Sequence, residues 1–433
     1  MNRLANELNA VLAGTAAGRL LSAYGERMYF PRGIVAQSAE AGKLAARYNA
    51  TVGMAYEDGQ PMILPVVRDL TSGLSPAESV AYAPAGGDPR IRRLWRQQML
   101  VKNPSLREDG FSLPIVVPGL TAGVALAGEL FVDPGDTVIL PDLYWDNYEL
   151  IFSVAKRAKT LSFSFFDEAG NFNAPALGEV LRENAGEGKI IVVLNFPNNP
   201  SGYSPTKADA KNICRVIFEC ADGGTDILVV CDDAYYGLFY EDSIERQSLF
   251  AFFASLHERV FAVKVDGSTK EDFVWGFRIG FMTYGGRGLT ENHYEALLNK
   301  TNAALRASIS NCSRIAQSIM IKAMAQPGYE EQKAAKFNIL RKRYLKVREI
   351  LAARKTGMAL KELPFNSGYF MSFICEGISS EKLRLRLLER GIGTISLQDR
   401  LLRVAYESIG EEGLEELFCE IFAAADELRL AGG

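Results

Sequence analysis

The sequence predicts an α/β protein: a large domain on a mostly parallel, doubly wound sheet, with a smaller α+β domain assembled from both chain ends. Three observations carry that reading. Runs such as IIVVL and DILVV are apolar on both faces, as parallel strands covered by two helix layers must be. Short apolar strands alternate with helical stretches through the middle of the chain, the pattern of repeated βαβ units. At 433 residues the chain exceeds the size at which one core usually keeps growing, so a second unit is expected. The partition read from the changes of pattern is 1–60 for the N-terminal part of the small domain, 61–322 for the large domain and 323–433 for the C-terminal part of the small one.

Taken in order, the segment MNRLANELNAVLAGTAAGRLL has one early basic residue, but Asn6, Glu7 and Asn9 interrupt the apolar run that a signal peptide needs. No window reaches the length of a membrane span, so a cytoplasmic location is expected. The central strands are LPIVVPG, DTVILPD, KIIVVLNF, TDILVVCDDAY and RVFAVKVDG, with helices such as TAGVALAGELF between them. From about Glu291 the pattern turns helical, in YEALLNKTNAALRA and YEEQKAAKFNILRKRYLKVREILAARK, where apolar residues recur at helical spacing beside charges. After Gly357 strands return in GYFMSFI and LLRVAY, with helices EKLRLRLLERG and EEGLEELFCEIFAAADELR.

Composition narrows the function classes. With 48 Lys+Arg against 52 Asp+Glu the net charge is -4, which offers no electrostatic grip on nucleic acid or a membrane surface and leaves a small molecule as the expected partner. The six cysteines form no CxxC pair and read as reduced thiols, mostly in the core. Only two histidines are present, His257 and His293, both in apparently helical, charged surroundings. With no HExxH and no histidine in a ligand-like cluster, no metal site is expected, and a Ser-His-Asp triad has little to work with. GxGxxG and GxxxxGK[ST] are absent as well.

In a doubly wound sheet, ligands bind beyond the carboxyl ends of the strands. Four such ends carry unusual residues. After PIVVP, Gly119-Leu120-Thr121 opens a helix and offers free amides, a dipole and a hydroxyl to an anion. After IIVVL comes NFPNNPSG, in which Pro197, Pro200 and Gly202 suppress helix and make a stiff loop that presents Asn199. After DILVV stand Cys231, Asp232, Asp233, Ala234 and Tyr235; a carboxylate at the end of so apolar a strand is desolvated and calls for a cationic partner. After FAVKV comes DGSTK, ending at Lys270, and Arg278 follows eight residues later in WGFRIGF.

That ordered set resembles the fold-type-I aminotransferases that use pyridoxal phosphate, closest to the aspartate and aromatic branch, over about Gly53 to Arg403. The resemblance implies roles residue by residue. Lys270 matches the lysine that attaches the cofactor covalently and then moves the substrate's Cα proton, a task for an amine that is nucleophilic near neutral pH. Lys264 is the rival, but it lies inside a strand and lacks an arginine at the matching spacing. Asp232 matches the carboxylate that keeps the pyridine nitrogen protonated, and Asn199 and Tyr235 match the pair that share the cofactor's phenolic oxygen.

Arg278 would clasp the phosphate, aided by Leu120, Thr121 and the amides of the helix they open. Trp145 matches the ring-stacking aromatic, with Tyr144 as the alternative, and Tyr148 stands where the family has a ring or imidazole three residues on. Tyr82 in YAPAGGDP resembles the tyrosine that reaches the phosphate of the neighbouring subunit, which implies a homodimer with shared active sites; a packed turn tyrosine is the other reading. Gly53 matches a glycine of the loop over the substrate, Arg403 the arginine that binds the substrate α-carboxylate, and Arg306 an arginine that reads a side-chain carboxylate across the dimer, unless it is simply a helix-surface residue.

Two departures stand out. Gly267 occupies the place of a serine three before the lysine, and Gly119-Leu120 replaces small hydroxyl and glycine residues. The implied activity is transfer of an amino group between an L-amino acid, aspartate/glutamate or aromatic, and a 2-oxo acid. A lyase or decarboxylase on the same fold, and a non-catalytic binding or regulatory relative, are the competing readings.

Overall fold

The computed structural model describes residues 2–12, 15, 21, 23–28, 33–70, 72–186, 188–354 and 359–432. Three two-residue strands come first: β1 (Tyr48–Asn49), β2 (Tyr56–Glu57) and β3 (Gln60–Pro61). The central sheet follows with β4 (Ile115–Val117), β5 (Thr137–Pro141), β6 (Lys159–Phe163), β7 (Ile190–Asn195), β8 (Ile227–Asp232), β9 (Val260–Asp266) and β10 (Gly280–Gly286). Its spatial order is β4-β10-β9-β8-β7-β5-β6. Every pair from β9 to β6 is parallel, and β10 alone runs antiparallel to its neighbours.

β7 and β8 are buried along their whole length, which explains why they read as unbroken apolar runs. Burying side chains such as Val192 and Val229 contributes about 1.5–3 kcal/mol each. β6 and β10 escape the sequence reading for opposite reasons. β6 is a sheet edge with a mostly exposed face, whereas β10 is buried throughout but carries Gly280, Gly285 and Gly286 at its ends.

A second sheet comprises β11 (Leu360–Glu362), β12 (Met371–Cys375), β14 (Ile395–Leu397) and β15 (Leu401–Val404), in the order β11-β12-β15-β14 and antiparallel throughout. Between β12 and β14 runs β13 (Ile392–Gly393), which pairs in parallel with β1 and so ties the N-terminal part of the chain to the C-terminal part. Of the two histidines, His293 lies in the helix Glu291–Ser308, but His257 does not share its expected setting: it sits in the turn before β9, capping the amide of Arg259. All six cysteines are free, and three of them, Cys220, Cys231 and Cys312, are buried.

Register explains where chemistry can gather. Asn195 pairs with Asp232, and Asp232 with Val265, so β7, β8 and β9 end at one level. The segments that follow them emerge together along the carboxyl edge.

Candidate active site

A cavity of about 130 Å³ opens at that edge, lined by Leu120, Thr121, Trp145, Asn195, Asn199, Asp232, Ala234, Tyr235 and Lys270. Seven of these residues were picked from the sequence; Asn195 and Ala234 were not. Asn195 holds the edge together: its side chain donates to the Asp232 carbonyl at 2.8 Å and accepts from the Asn199 amide at 2.8 Å. Nothing in the sequence separates this asparagine from the other two in the loop.

Asp232 is buried, and its oxygens differ. Oδ2 accepts a 2.6 Å hydrogen bond from Tyr148, itself wholly buried, while Oδ1 has no partner. Burial pushes the carboxyl up to about 6, against the pull of the Tyr148 hydrogen bond and the Lys270 charge. A buried oxygen left without a donor is costly, so Oδ1 marks a place for one. Tyr148 was visible in the sequence only as a ring of unassigned role; its contact with Asp232 spans 84 residues of chain.

Lys270 sits in the short helical turn Ser268–Glu271, its ammonium 4.6 Å from the Tyr235 ring centre. Burial brings its amine down to about 8; Asp232 opposes the shift and Arg278 adds to it. Its rival Lys264 is spoken for. It is buried on the sheet between Asp233 at 2.8 Å and Asp266 at 2.5 Å, and those charges hold its ammonium protonated.

Arg403, on β15, is buried with its guanidinium carbon 4.3 Å from the Phe370 ring centre. One Nη donates to Asn199 Oδ1 at 2.8 Å and the other to the Thr51 carbonyl at 3.0 Å, while Nε has no partner. Asn199 thus joins the arginine of the small sheet to the loop of the large one. That loop has cis peptides before Pro197 and Pro200, and it docks through Gly202, whose carbonyl accepts from the amides of Asn366 and Ser367. Gly53 approaches the same place: a Cβ on it would lie 3.1 Å from Phe370 and 3.2 Å from the Tyr235 hydroxyl.

At the opposite end the helix Leu120–Phe131 points its first turn at the cavity. Gly119 has φ of 89°, and a Cβ there would come within 2.5 Å of Arg278 Nη2, so only glycine lets the arginine lie against the helix start. Tyr82 and Arg306 are not among the lining residues. Tyr82 is 90% exposed, and Arg306, also exposed, donates to Ser310 just past the end of its own helix. Tyr144 turns to Glu149 at 2.7 Å, whereas Trp145 faces the cavity edge-on to Tyr148. Among the described residues no group of His, Cys, Asp and Glu could hold a metal ion.

The model of the family aminotransferase class I and II matches residues 56–418. The chain belongs to that family. This aminotransferase is 26% identical over 314 residues to an aspartate aminotransferase of Pyrococcus horikoshii, covering 70% of this chain and 73% of that one. Its fold matches an aminotransferase from Anaerococcus prevotii with a TM-score of 0.82 at 23% identity, over 92% and 98% of the two chains. It also matches a Pyrococcus horikoshii kynurenine aminotransferase, solved in complex with PMP, with a TM-score of 0.79 at 17% identity, over 95% and 98%.

The aminotransferase is therefore a transaminase with pyridoxal phosphate as its cofactor. The residues present fit that group. An orphaned buried acceptor, Asp232 Oδ1, suits a pyridinium N–H, while a cationic arginine laid on a helix start suits a phosphate.

Proposed function

We propose that this aminotransferase exchanges the amino group of L-aspartate, L-glutamate or an aromatic L-amino acid with a 2-oxo acid. The observation that supports it best is the joint placement, in one cavity, of a lysine brought near neutrality and a carboxylate with a free oxygen, with an arginine that has a free Nε bonded to the lining residue Asn199. Relatives named for aspartate, and the aromatic walls Trp145 and Tyr235, the latter backed by Phe370, support the substrate class.

In this reading pyridoxal phosphate, when bound, supplies a ring that accepts electrons from the substrate's Cα. The chain does the rest. Asp232 holds a proton at the ring nitrogen, and Tyr148 orients Asp232. Asn199 and Tyr235 orient the ring through its phenolic oxygen, Trp145 covers one face, and Leu120, Thr121 and Arg278 bind the phosphate. Arg403 binds the substrate α-carboxylate, and Lys270 takes the proton from Cα onto Nζ, which its lowered basicity makes possible near neutral pH. Gly53 leaves room for the segment over the substrate.

Tyr82 and Arg306 complete the site of a second copy in this reading. Tyr82, Val80, Ile309 and Ile315 are all exposed apolar residues, and Arg314 and Lys322 tie the segment around Ala77 and Glu78 to the helix that follows Arg306. We place the large domain at 61–322, around the seven-stranded sheet, and the small domain at 1–60 with 323–433, around the four-stranded sheet and the β1–β13 pair. No helix among the described residues is long and apolar enough to cross a membrane.

The test is the absorption spectrum of the holoenzyme while L-aspartate, L-glutamate, L-tyrosine and L-alanine are added separately. A responsive donor converts the band of lysine-bound cofactor to that of the amine form, and a 2-oxo acid reverses it. A band that no amino acid discharges sinks the transfer reading.

A further inference from the structure

Lys270 stands in a turn of four residues, far too short to hold its place by helix propensity. Something else must fix it. The two residues after it are acids: Asp272 is buried, and the Glu271 side chain is only 12% exposed. Glu271 accepts from Lys102 and, at 3.0 Å, from Lys333; Asp272 Oδ1 accepts from Lys333 at 2.8 Å and from the Tyr329 hydroxyl at 2.6 Å. The Asp272 amide closes the turn onto the Ser268 carbonyl at 2.9 Å. Charges this deeply buried persist only when paired and hydrogen-bonded, so the cluster differs in kind from a surface ion pair.

Lys333 belongs to the helix Tyr329–Ala353. Ten residues on, about 15 Å along that helix, Arg343 donates to the Glu407 carbonyl at 2.6 Å and to the Tyr56 carbonyl at 2.5 Å. Glu407 lies four residues beyond Arg403. One rigid element therefore grips the turn of Lys270 at one end and the chain just past Arg403 at the other.

We propose that Lys333 is a positioning residue for Lys270, and that the helix carrying it is the strut that sets the separation between Lys270 and Arg403. The inference rests on the roles proposed above for those two residues. It assigns a task to charges that the proposed chemistry leaves unused.

Lys270 is faced by Asp232, Tyr235 and Arg278; the acid pair is faced by Lys102, Lys333 and Tyr329, with Glu330 and Tyr236 farther off. Two cations balance two anions. Burial would raise the Glu271 carboxyl, but Lys102 and Lys333 bring it below its ordinary value. Removing Lys333 leaves an excess negative charge on the two residues that follow Lys270 in the chain, and an added negative charge nearby favours the protonated form of its nitrogen.

The experiment uses Lys333→Met holoenzyme and reads the pH midpoint of the visible band of the lysine-bound cofactor, together with kcat and KM. The midpoint is expected to rise by about half a pH unit or more, and kcat to fall about 10-fold or more with a smaller change in KM. Lys333→Arg restores both. A folded Lys333→Met enzyme with wild-type midpoint and kcat overturns the proposal. Should that variant not fold, Lys333→Met/Asp272→Asn removes a cation and an anion together; the midpoint should then return while kcat stays low, and wild-type kcat overturns the strut. A covalent cofactor band that survives in Lys270→Ala shows instead that the lysine itself was wrongly assigned.

Discussion

At the residue scale, Asp232 and Lys270 have basicities displaced toward each other, to about 6 and about 8, and both displacements come chiefly from burial. For Asp232 the folded value lies above the ordinary 3.8, so its contribution to stability is present below that pH and is lost as pH rises through about 6. That displacement is worth about 3 kcal/mol. Asp232→Asn should therefore make the apoenzyme more stable at pH 7, by up to that amount, while leaving it unchanged at pH 3; denaturant unfolding at both pH values checks this. The same substitution in the holoenzyme should cost about 10²-fold or more in kcat, since the ring nitrogen loses its charged partner. Tyr148→Phe removes a hydrogen bond that favours ionised Asp232. The acid limb of the kcat profile should move up by about 1 pH unit, and an unmoved limb would show that Tyr148 only packs.

At the scale of elements, the loop after β7 is the piece that the rest of the site depends on. Gly202 has φ of 79°, and a Cβ on it would stand 1.9 Å from the Phe370 carbonyl oxygen, a backbone atom that cannot swing away. Gly202→Ala should destabilise the protein by about 2–4 kcal/mol, from left-handed strain and overpacking together. It should also weaken cofactor retention, because Asn199 rides on the same loop. Urea unfolding and dialysis against cofactor-free buffer measure the two effects; wild-type values for both would mean the loop is not the tie between the sheets. The loop's rigidity was legible from Pro197, Pro200 and Gly202, but what it docks against was not, since Asn366, Ser367 and Phe370 come more than 160 residues later.

At the scale of the whole molecule, the positions of Tyr82 and Arg306 are decisive. Both were chosen by resemblance, both are exposed, and neither lines the cavity of its own chain. If a second copy supplies them, sedimentation should give a mass of twice 47.6 kDa. Tyr82→Phe should then weaken cofactor binding by about 10-fold, the value of one hydrogen bond to a charged group. Mixing Tyr82→Phe with Lys270→Ala protein should shift the cofactor affinity of the intact lysine sites, as only shared sites allow. A monomer by sedimentation ends that reading.

What the sequence determined by itself was whatever is written in local pattern. Buried parallel strands need unbroken apolar runs, so IIVVL and DILVV announced the sheet; strand ends must change composition abruptly, so Asp232, Asn199 and Lys270 stood out where those runs stop. Elements that bend the pattern stayed hidden, as β6 did at its half-exposed edge. Tertiary structure alone decided the partners. Tyr148 reaches Asp232 across 84 residues, Lys102 reaches Glu271 across 169, and Arg403 reaches Asn199 across 204. Such contacts leave no trace in spacing, because a hydrogen bond or an ion pair depends on distance in space, and the fold brings together at one sheet edge residues that the chain holds far apart.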